Sequence, residues 1–362
     1  MGRSFPAMPA TPGSAQPEDL EVEAVVRHLE AIPEFRERMA WTLRDSLDET
    51  LDGGRTGRWC YQHLKKTEKT GLGTAMEINI QKEFDFEDGR VIDWRIAGVE
   101  IDCKFSKDYG GWPIPMEMYL CPDHGDRAGT DNHLALLTWM NDDLCQWAVG
   151  IVRVTDDRLA FKKADPSARV YNGDNKRTLN VDGLWAVYWL WGGVQNDLPP
   201  NVLLHMSPTA RRRVFSASNR AGPARAGQQR INQLFREVQG EIVSRRTILT
   251  VAQQDDPMRR ARNARSAQHL QPEGIMVLGH QEADPYIAQI LELPIPVKGE
   301  FVACRVVPCS TDENRPRVFL DNAWWRLADA DDPVVSAPTY PRQPAPGDWL
   351  ACLTGAEPWP NT

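Results

Sequence analysis

Long apolar runs are missing from this 362-residue chain, and none approaches the roughly 18–20 residues that a membrane-spanning helix needs. The first 19 residues, MGRSFPAMPATPGSAQPED, lack the apolar core of a secretory signal and are expected to form a disordered, Pro/Ala/Ser-rich tail. No CxxC pair occurs. The seven cysteines (Cys60, Cys103, Cys121, Cys145, Cys304, Cys309 and Cys352) are odd in number and scattered, which suits reduced thiols in a cytosol rather than a disulfide framework. The tightest Cys/His grouping, CPDHGDRAGTDNH, brings Cys121, His124 and His133 near one another in sequence. It falls short of the four paired ligands zinc normally takes and is read as a polar loop. Lysine is scarce, with 10 against 32 arginines. With 41% hydrophobic and 25% charged residues, the expectation is a globular cytoplasmic protein of about two domains with no membrane partner.

What is abundant is arginine in one place. The net charge is −8, yet Arg211 to Arg265 holds thirteen arginines, no lysine and only four acids (Glu237, Glu241, Asp255, Asp256), a local balance of +9. A bias for arginine over lysine explains the choice of cation but not its clustering. A basic block inside an acidic chain points to a module that binds a polyanion.

Along the chain, LEVEAVVRHLEAI and PEFRERMAWTLRDSLDETL carry helical spacing and are split by Pro33. TAMEINIQKEF predicts a helix over 74–84, with Thr74 as N-cap and Glu77 three residues on, in a capping-box arrangement. A hairpin follows. MEMYLC and WAVGIVRV read as strands that bracket a polar loop and a helical HLALLTWM. This order predicts an α/β domain with a mixed sheet over 20–170. Turn-rich residues 171–180 are the expected linker, and 181–362 a second domain. There VDGLWAVYWLWGG predicts a buried helix. QRINQLFREVQGEIV places Ile231, Leu234, Phe235, Val238 and Ile242 on one helical face. SRRTILTVAQQ predicts a helix capped by Ser244, and DDPMRRARNAR a short basic helix with Asp256 as N-cap and Pro257 at its first position. A strand-like EGIMVLGH comes next. Helices, a tight turn, a basic helix and then a strand form the pattern of a winged helix-turn-helix. In that reading Arg245, Arg246, Arg259, Arg260, Arg262 and Arg265 face DNA.

The hairpin VIDWRIAGVEIDCKFS carries the chemistry. Turning it at Ala97-Gly98 pairs Ile96 with Val99, Arg95 with Glu100 and Trp94 with Ile101, which sets Asp93 opposite Asp102. Like charges facing each other across a strand pair are destabilising. The pair becomes tolerable with a divalent cation between the carboxylates, and an oxygen-only donor set favours Mg²⁺. Asp102 and Lys104 lie on one strand face, so the lysine can orient a water or neutralise charge developing on a phosphate. Glu77 is the candidate third acid. The set suits metal-assisted hydrolysis of a phosphodiester. TLDG, Thr50 to Gly53, looks like the Lys-x-Asp-Gly of DNA ligases, but a threonine cannot form their lysine–nucleotide adduct. DGGRTGR forms either a turn that brings Arg55 and Arg58 near DNA phosphates or a loop that ends a helix.

Glu77, Asp93, IDCK with Asp102 and Lys104, and GGWPIP together resemble the active-site segment of NaeI-type restriction endonucleases, within the PD-(D/E)XK nuclease class. LDGGRTGR, LKKTEKTGLGTAMEIN, NQLFREVQGEIV and QQDDPMRRAR are also similar to that family, so the resemblance covers most of the chain. It implies a Mg²⁺-dependent nuclease domain joined to a C-terminal winged-helix DNA-binding domain. It also implies a type IIE homodimer that binds a second copy of its DNA site to activate cleavage at the first. Asp93 and Asp102 would be metal ligands together with the Cys103 carbonyl; Glu77 would support the metal or its water, and Lys104 would position the nucleophile. A nicking, repair or phage-defence nuclease, or a DNA-binding regulator with an inactive nuclease domain, are the competing readings.

Overall fold

The computed structural model describes residues 19–121, 124–125, 129–163, 165–218, 222, 226–339 and 349–356. The expected tail lies outside them except for Asp19, whose carboxylate accepts from the amides of Glu21 and Val22 and caps helix α1 (Leu20–Glu30). The chain continues through α2 (Phe35–Leu51), a four-residue α3 (Gly53–Thr56) and α4 (Lys66–Phe84). Strands β1 (Glu87–Asp88), β2 (Trp94–Ile96), β3 (Val99–Ser106), β4 (Leu134–Asn141), β5 (Gln146–Arg153), β6 (Phe161–Lys162) and β7 (Asp165–Arg169) follow, then α5 (Val181–Trp185) and β8 (Tyr188–Trp189).

Two compact units result. One comprises the described residues up to Thr50 together with Tyr61–Pro200; the other comprises Leu51–Cys60 and the described residues from Asn201 onward. Residues 171–180 are therefore not a linker. Arg177 exchanges backbone hydrogen bonds with Ile114 (2.7 and 2.9 Å), and its buried guanidinium lies over the Phe161 ring and pairs with Asp156. The stretch after it, 181–200, also stays in the first unit and supplies β8.

The first unit is built on a mixed sheet in the order β1-β2-β3-β4-β5-β8, with β3 and β4 parallel and the other neighbours antiparallel. HLALLTWM, expected as a helix, is the central strand β4. Seven of its eight residues are buried, so it reads as a continuous apolar run without the alternation that marks a half-exposed strand. MEMYLC is not a strand; it holds a short 3₁₀ turn at Met116–Met118. VDGLWAVYWLWGG breaks into α5 and β8, because Trp189 pairs with Gly150. A Cβ on Gly150 would lie 2.4 Å from Val187 and 2.7 Å from the Trp189 ring, so the strand approaches only a glycine that closely. Helix α4 packs on β3 through Leu72, Met76, Ile80 and Phe84, at i, i+4, i+8 and i+12. It starts eight residues before the expected Thr74 cap. The Lys65 amide donates to Glu68 (2.8 Å), and Gly71 and Gly73 run through the helix with open space where side chains would stand.

A buried ion cluster ties α2 to the loop after β4: Arg44 bonds Asp142 and, at 2.7 Å, Asp48. Burial works to lower the Arg44 pKa, but the two carboxylates outweigh it and raise the guanidinium above its ordinary value. Arg44→Ala is expected to cost about 3–5 kcal/mol of unfolding free energy, because Asp142 would remain buried and uncompensated. Urea denaturation measures it, and a loss below about 1 kcal/mol would assign the cluster no structural weight.

The second unit contains α6 (Val202–His205), α7 (Pro208–Ser216), α8 (Gly227–Glu237), β9 (Ile242–Val243), α9 (Arg245–Ala252) and α10 (Pro257–Ala264). It continues with β10 (Ile275–Leu278), α11 (Asp284–Ile290), β11 (Phe301–Cys309), β12 (Arg317–Leu320), β13 (Ala323–Leu327) and α12 (Trp349–Leu353). Ile231, Leu234 and Phe235 of α8 share a core with Ile248 and Val251 of α9 and Ala261 and Ala264 of α10. The expected α8 stripe is cut short: Val238 is already the C-cap, and Ile242 belongs to β9. Ser244 caps α9, and Asp256 caps α10 ahead of Pro257, as the spacing predicts. The strands order as β10-β11-β13-β12, with β9 also on β11. Among the described residues no helix is long and apolar enough to cross a membrane.

Candidate active site

The hairpin register agrees with the sequence reading: Trp94 pairs with Ile101, Arg95 with Glu100 and Ile96 with Val99. Ala97 and Gly98 both adopt positive φ (52° and 82°), the geometry of a tight type I′ connection whose twist matches the strands. Beyond Trp94 the ladder stops and side chains take over. The Cys103 amide, which a continued ladder would pair with Ile92, donates instead to Asp93 Oδ2 at 3.0 Å. This brings the Asp93 carboxylate against the Asp102 carboxyl. Asp102 is 3% exposed, while the Cys103 side chain turns to the opposite, apolar side and is also buried.

Lys104 Nζ sits 2.5 Å from Asp102 Oδ1, 3.8 Å from Asp93 Oδ2 and 3.2 Å from the Cys103 carbonyl oxygen. Burial and a hydrogen bond shared with Asp93 push the Asp102 carboxyl up to about 8, against the opposing pull of Lys104. Burial works to lower the Lys104 pKa, but the charge and hydrogen bond of Asp102 and the charge of Asp93 outweigh it and raise the ammonium. Glu77 projects from α4 toward the same group. Partial burial and the Asp93 charge raise its pKa, with Lys104 opposing. The four residues expected to act together are thus electrostatically one group.

Among the described residues no three or more His, Cys, Asp or Glu side chains gather as a metal-binding set. Cys121, His124 and His133 are included in that statement, and His124 instead hydrogen-bonds the Tyr171 hydroxyl. The donor set that does converge is two carboxylates with the Cys103 carbonyl oxygen beside them. A buried Asp102 carboxyl pressed against the half-buried Asp93 carboxylate is an electrostatic environment that a hard dication relieves.

Glu100 was visible in the sequence as the partner of Arg95 and as a member of the polar strand face that carries Asp102 and Lys104, with no role assigned to it. Its carboxylate accepts from three successive amides, Arg90 (3.0 Å), Val91 (3.1 Å) and Ile92 (3.4 Å), and so organises the loop that ends at Asp93. Its place two residues before Asp102, on the same strand face, was the available signal.

The arginines expected at DNA all belong to the second unit, including Arg55 and Arg58, whose segment packs on α9. They do not form one surface of equivalent charges. Arg259 and Arg262 are exposed on α10 and Arg245 at the start of α9, while Arg246 and Arg260 are half-buried. Arg265 turns inward to pair with buried Asp284 at 3.1 Å. Arg55 pairs with Asp52 (2.5 Å), and Arg58 donates to the Leu51 carbonyl and the Thr56 hydroxyl.

An α/β unit carrying a paired-acid-and-lysine hairpin, followed by a basic helical unit, defines a nuclease-like class. Residues 23–336 match the family model described as restriction endonuclease NaeI. The chain is also 41% identical over 332 residues to the type II restriction enzyme NaeI of Lentzea aerocolonigenes, an alignment covering 91% of this chain and 97% of that protein. The chain therefore belongs to the NaeI family of restriction endonucleases, which are site-specific deoxyribonucleases.

Proposed function

We propose that this protein is a Mg²⁺-dependent type II restriction enzyme of the PD-(D/E)XK class that hydrolyses both strands of duplex DNA at a defined sequence. The observation that carries the reading is the convergence of Asp93, Asp102 and Lys104 around the Cys103 amide and carbonyl. Asp93, Asp102 and the Cys103 carbonyl would hold the metal. When bound, Mg²⁺ would supply Lewis-acid polarisation of the phosphate and a lowered pKa for water. Lys104 holds its proton between two carboxylates and is suited to orient the attacking water and to offset charge on the phosphoryl oxygens. Glu77, with its raised pKa, would accept a hydrogen bond or a proton from that water.

In this reading the second unit acts as a winged helix-turn-helix. Helices α9 and α10 with the turn Gln253–Asp256 form the motif, α10 presents Arg259 and Arg262, and the strands from β10 onward form the wing. The family resemblance supports a homodimer in which this unit holds an activating copy of the site. Replacing both Arg259 and Arg262 by alanine is expected to weaken DNA binding and make its log–log salt slope shallower by about 2. Unchanged binding across a salt titration would exclude α10 as the reading surface.

The activity test is digestion of a mixed plasmid and phage DNA set with Mg²⁺, beside an EDTA control. Discrete fragments that vanish in EDTA would establish sequence-specific cutting, and their ends would give the site. Random degradation, or cutting that persists in EDTA, would overturn the reading.

A further inference from the structure

We propose that Glu100 is a positioning residue of the active site, holding the Asp93 loop in the one conformation that lets Asp93 and Asp102 share a metal ion. The inference rests on the reading of Asp93 as a metal ligand. Asp93 is not inside a strand: β2 begins one residue later, and pairing between β2 and β3 ends at Trp94–Ile101. Its side chain is therefore fixed only as well as the loop before it. That loop, Gly89 to Ile92, wraps around one carboxylate.

Glu100 Oε2 lies 3.0 Å from the Arg90 amide, 3.1 Å from that of Val91 and 3.4 Å from that of Ile92, while Oε1 takes a second bond from Arg90 at 3.0 Å. Successive amides aimed at one anion form a concave nest, a geometry that a neutral side chain fills poorly. The loop closes on itself as well: the Gly89 amide donates to the Asp93 carbonyl at 3.1 Å. A Cβ on Gly89 would stand 1.9 Å from the Ile92 carbonyl oxygen, so no other residue fits there without moving the loop.

The three acidic or basic side chains of this strand face thus divide the work. Asp102 and Lys104 address the reacting group directly. Glu100 acts one layer behind, on the same rigid strand, so that Asp93 and Asp102 are referenced to a single element even though only one of them belongs to it. Partners that orient metal ligands commonly govern affinity by about 10–100-fold when lost. Glutamine keeps the shape of Glu100 but removes its charge, and because the Arg90 amide bonds both carboxylate oxygens, either orientation of the glutamine amide sets an N–H₂ group against that amide.

The test is Mn²⁺ binding to the DNA-free protein, followed by electron paramagnetic resonance, for wild type, Glu100→Gln, Gly89→Ala and Asp93→Asn. Glu100→Gln and Gly89→Ala are both expected to weaken Mn²⁺ binding at least about tenfold and to raise the Mg²⁺ concentration for half-maximal cleavage by a similar factor, with metal-free DNA affinity unchanged. Gly89→Ala retains the charge and displaces the loop, so it decides the matter if Glu100→Gln fails to fold. Weakened binding in Asp93→Asn but wild-type binding in the two loop variants would overturn the role of Glu100. Wild-type binding in Asp93→Asn would overturn the metal-ligand reading itself. A loop variant that lowers only the melting temperature, with Mn²⁺ affinity intact, counts against the proposal.

Discussion

Lys104→Ala is expected to lower DNA cleavage by roughly 10²–10³-fold or more while leaving DNA affinity within a factor of about two. The asymmetry follows from location. Lys104 is nearly buried, 2.5 Å from one carboxylate and 3.8 Å from another, so it has little capacity to collect phosphate charge at long range. Exposed cations free of that constraint include Arg259 and Arg262 on α10 and Arg245 at the start of α9. Single-turnover cleavage beside a binding isotherm separates the two effects, and Lys104→Met controls for loss of the packed stem. Cleavage that survives in either variant would remove Lys104 from the mechanism.

Asp102→Asn should have opposite consequences for stability and activity. The folded-state Asp102 carboxyl is raised to about 8 from an ordinary 3.8, so the folded protein binds this proton more tightly than the unfolded chain does. The linked stability is fully present below about pH 4 and is lost as pH rises through 8. The metal-free protein is therefore expected to lose on the order of a few kcal/mol between pH 4 and pH 8 through this group, and the asparagine variant to lack that component. At pH 8 without metal the variant should be the more stable protein, and it should not cleave. Denaturant midpoints of both proteins at pH 5 and pH 8, in EDTA, measure the difference. Parallel pH dependence in the two would show that Asp102 titrates normally and that the acid pair stores no free energy.

The Asp93–Lys104 hairpin was legible because a two-residue turn and a strict period of two leave one register up to Trp94–Ile101, and extending it by one residue sets Asp93 toward Asp102. The caps of α9 and α10 were legible for a similar reason: Ser244, Asp256 and Pro257 act through bonds that span only a few residues. Where the information lay in distant contacts, it could not be read. Strand β4 is covered on both faces, so its sequence carries hydrophobicity but no period. Helix α4 runs through Gly71 and Gly73, which look like breakers, because tertiary packing of Leu72 and Met76 outweighs their cost of about 1 kcal/mol each. Glu100 escaped notice because its partners are main-chain amides, which no residue pattern records.

The ten residues Leu51–Cys60 belong with a unit whose remainder begins at Asn201. What commits them is close backbone approach: a Cβ on Gly53 would lie 2.1 Å from Thr250 Oγ1, and one on Gly54 3.3 Å from Leu249. The genetic consequence is that the two units are interlaced rather than modular. A single crossover in the gene cannot exchange the whole of the basic unit for that of a relative, because the incoming α9 would meet a foreign glycine segment encoded about 190 codons upstream. A laboratory chimera that exchanges the second unit is therefore expected to fold only if both segments travel together.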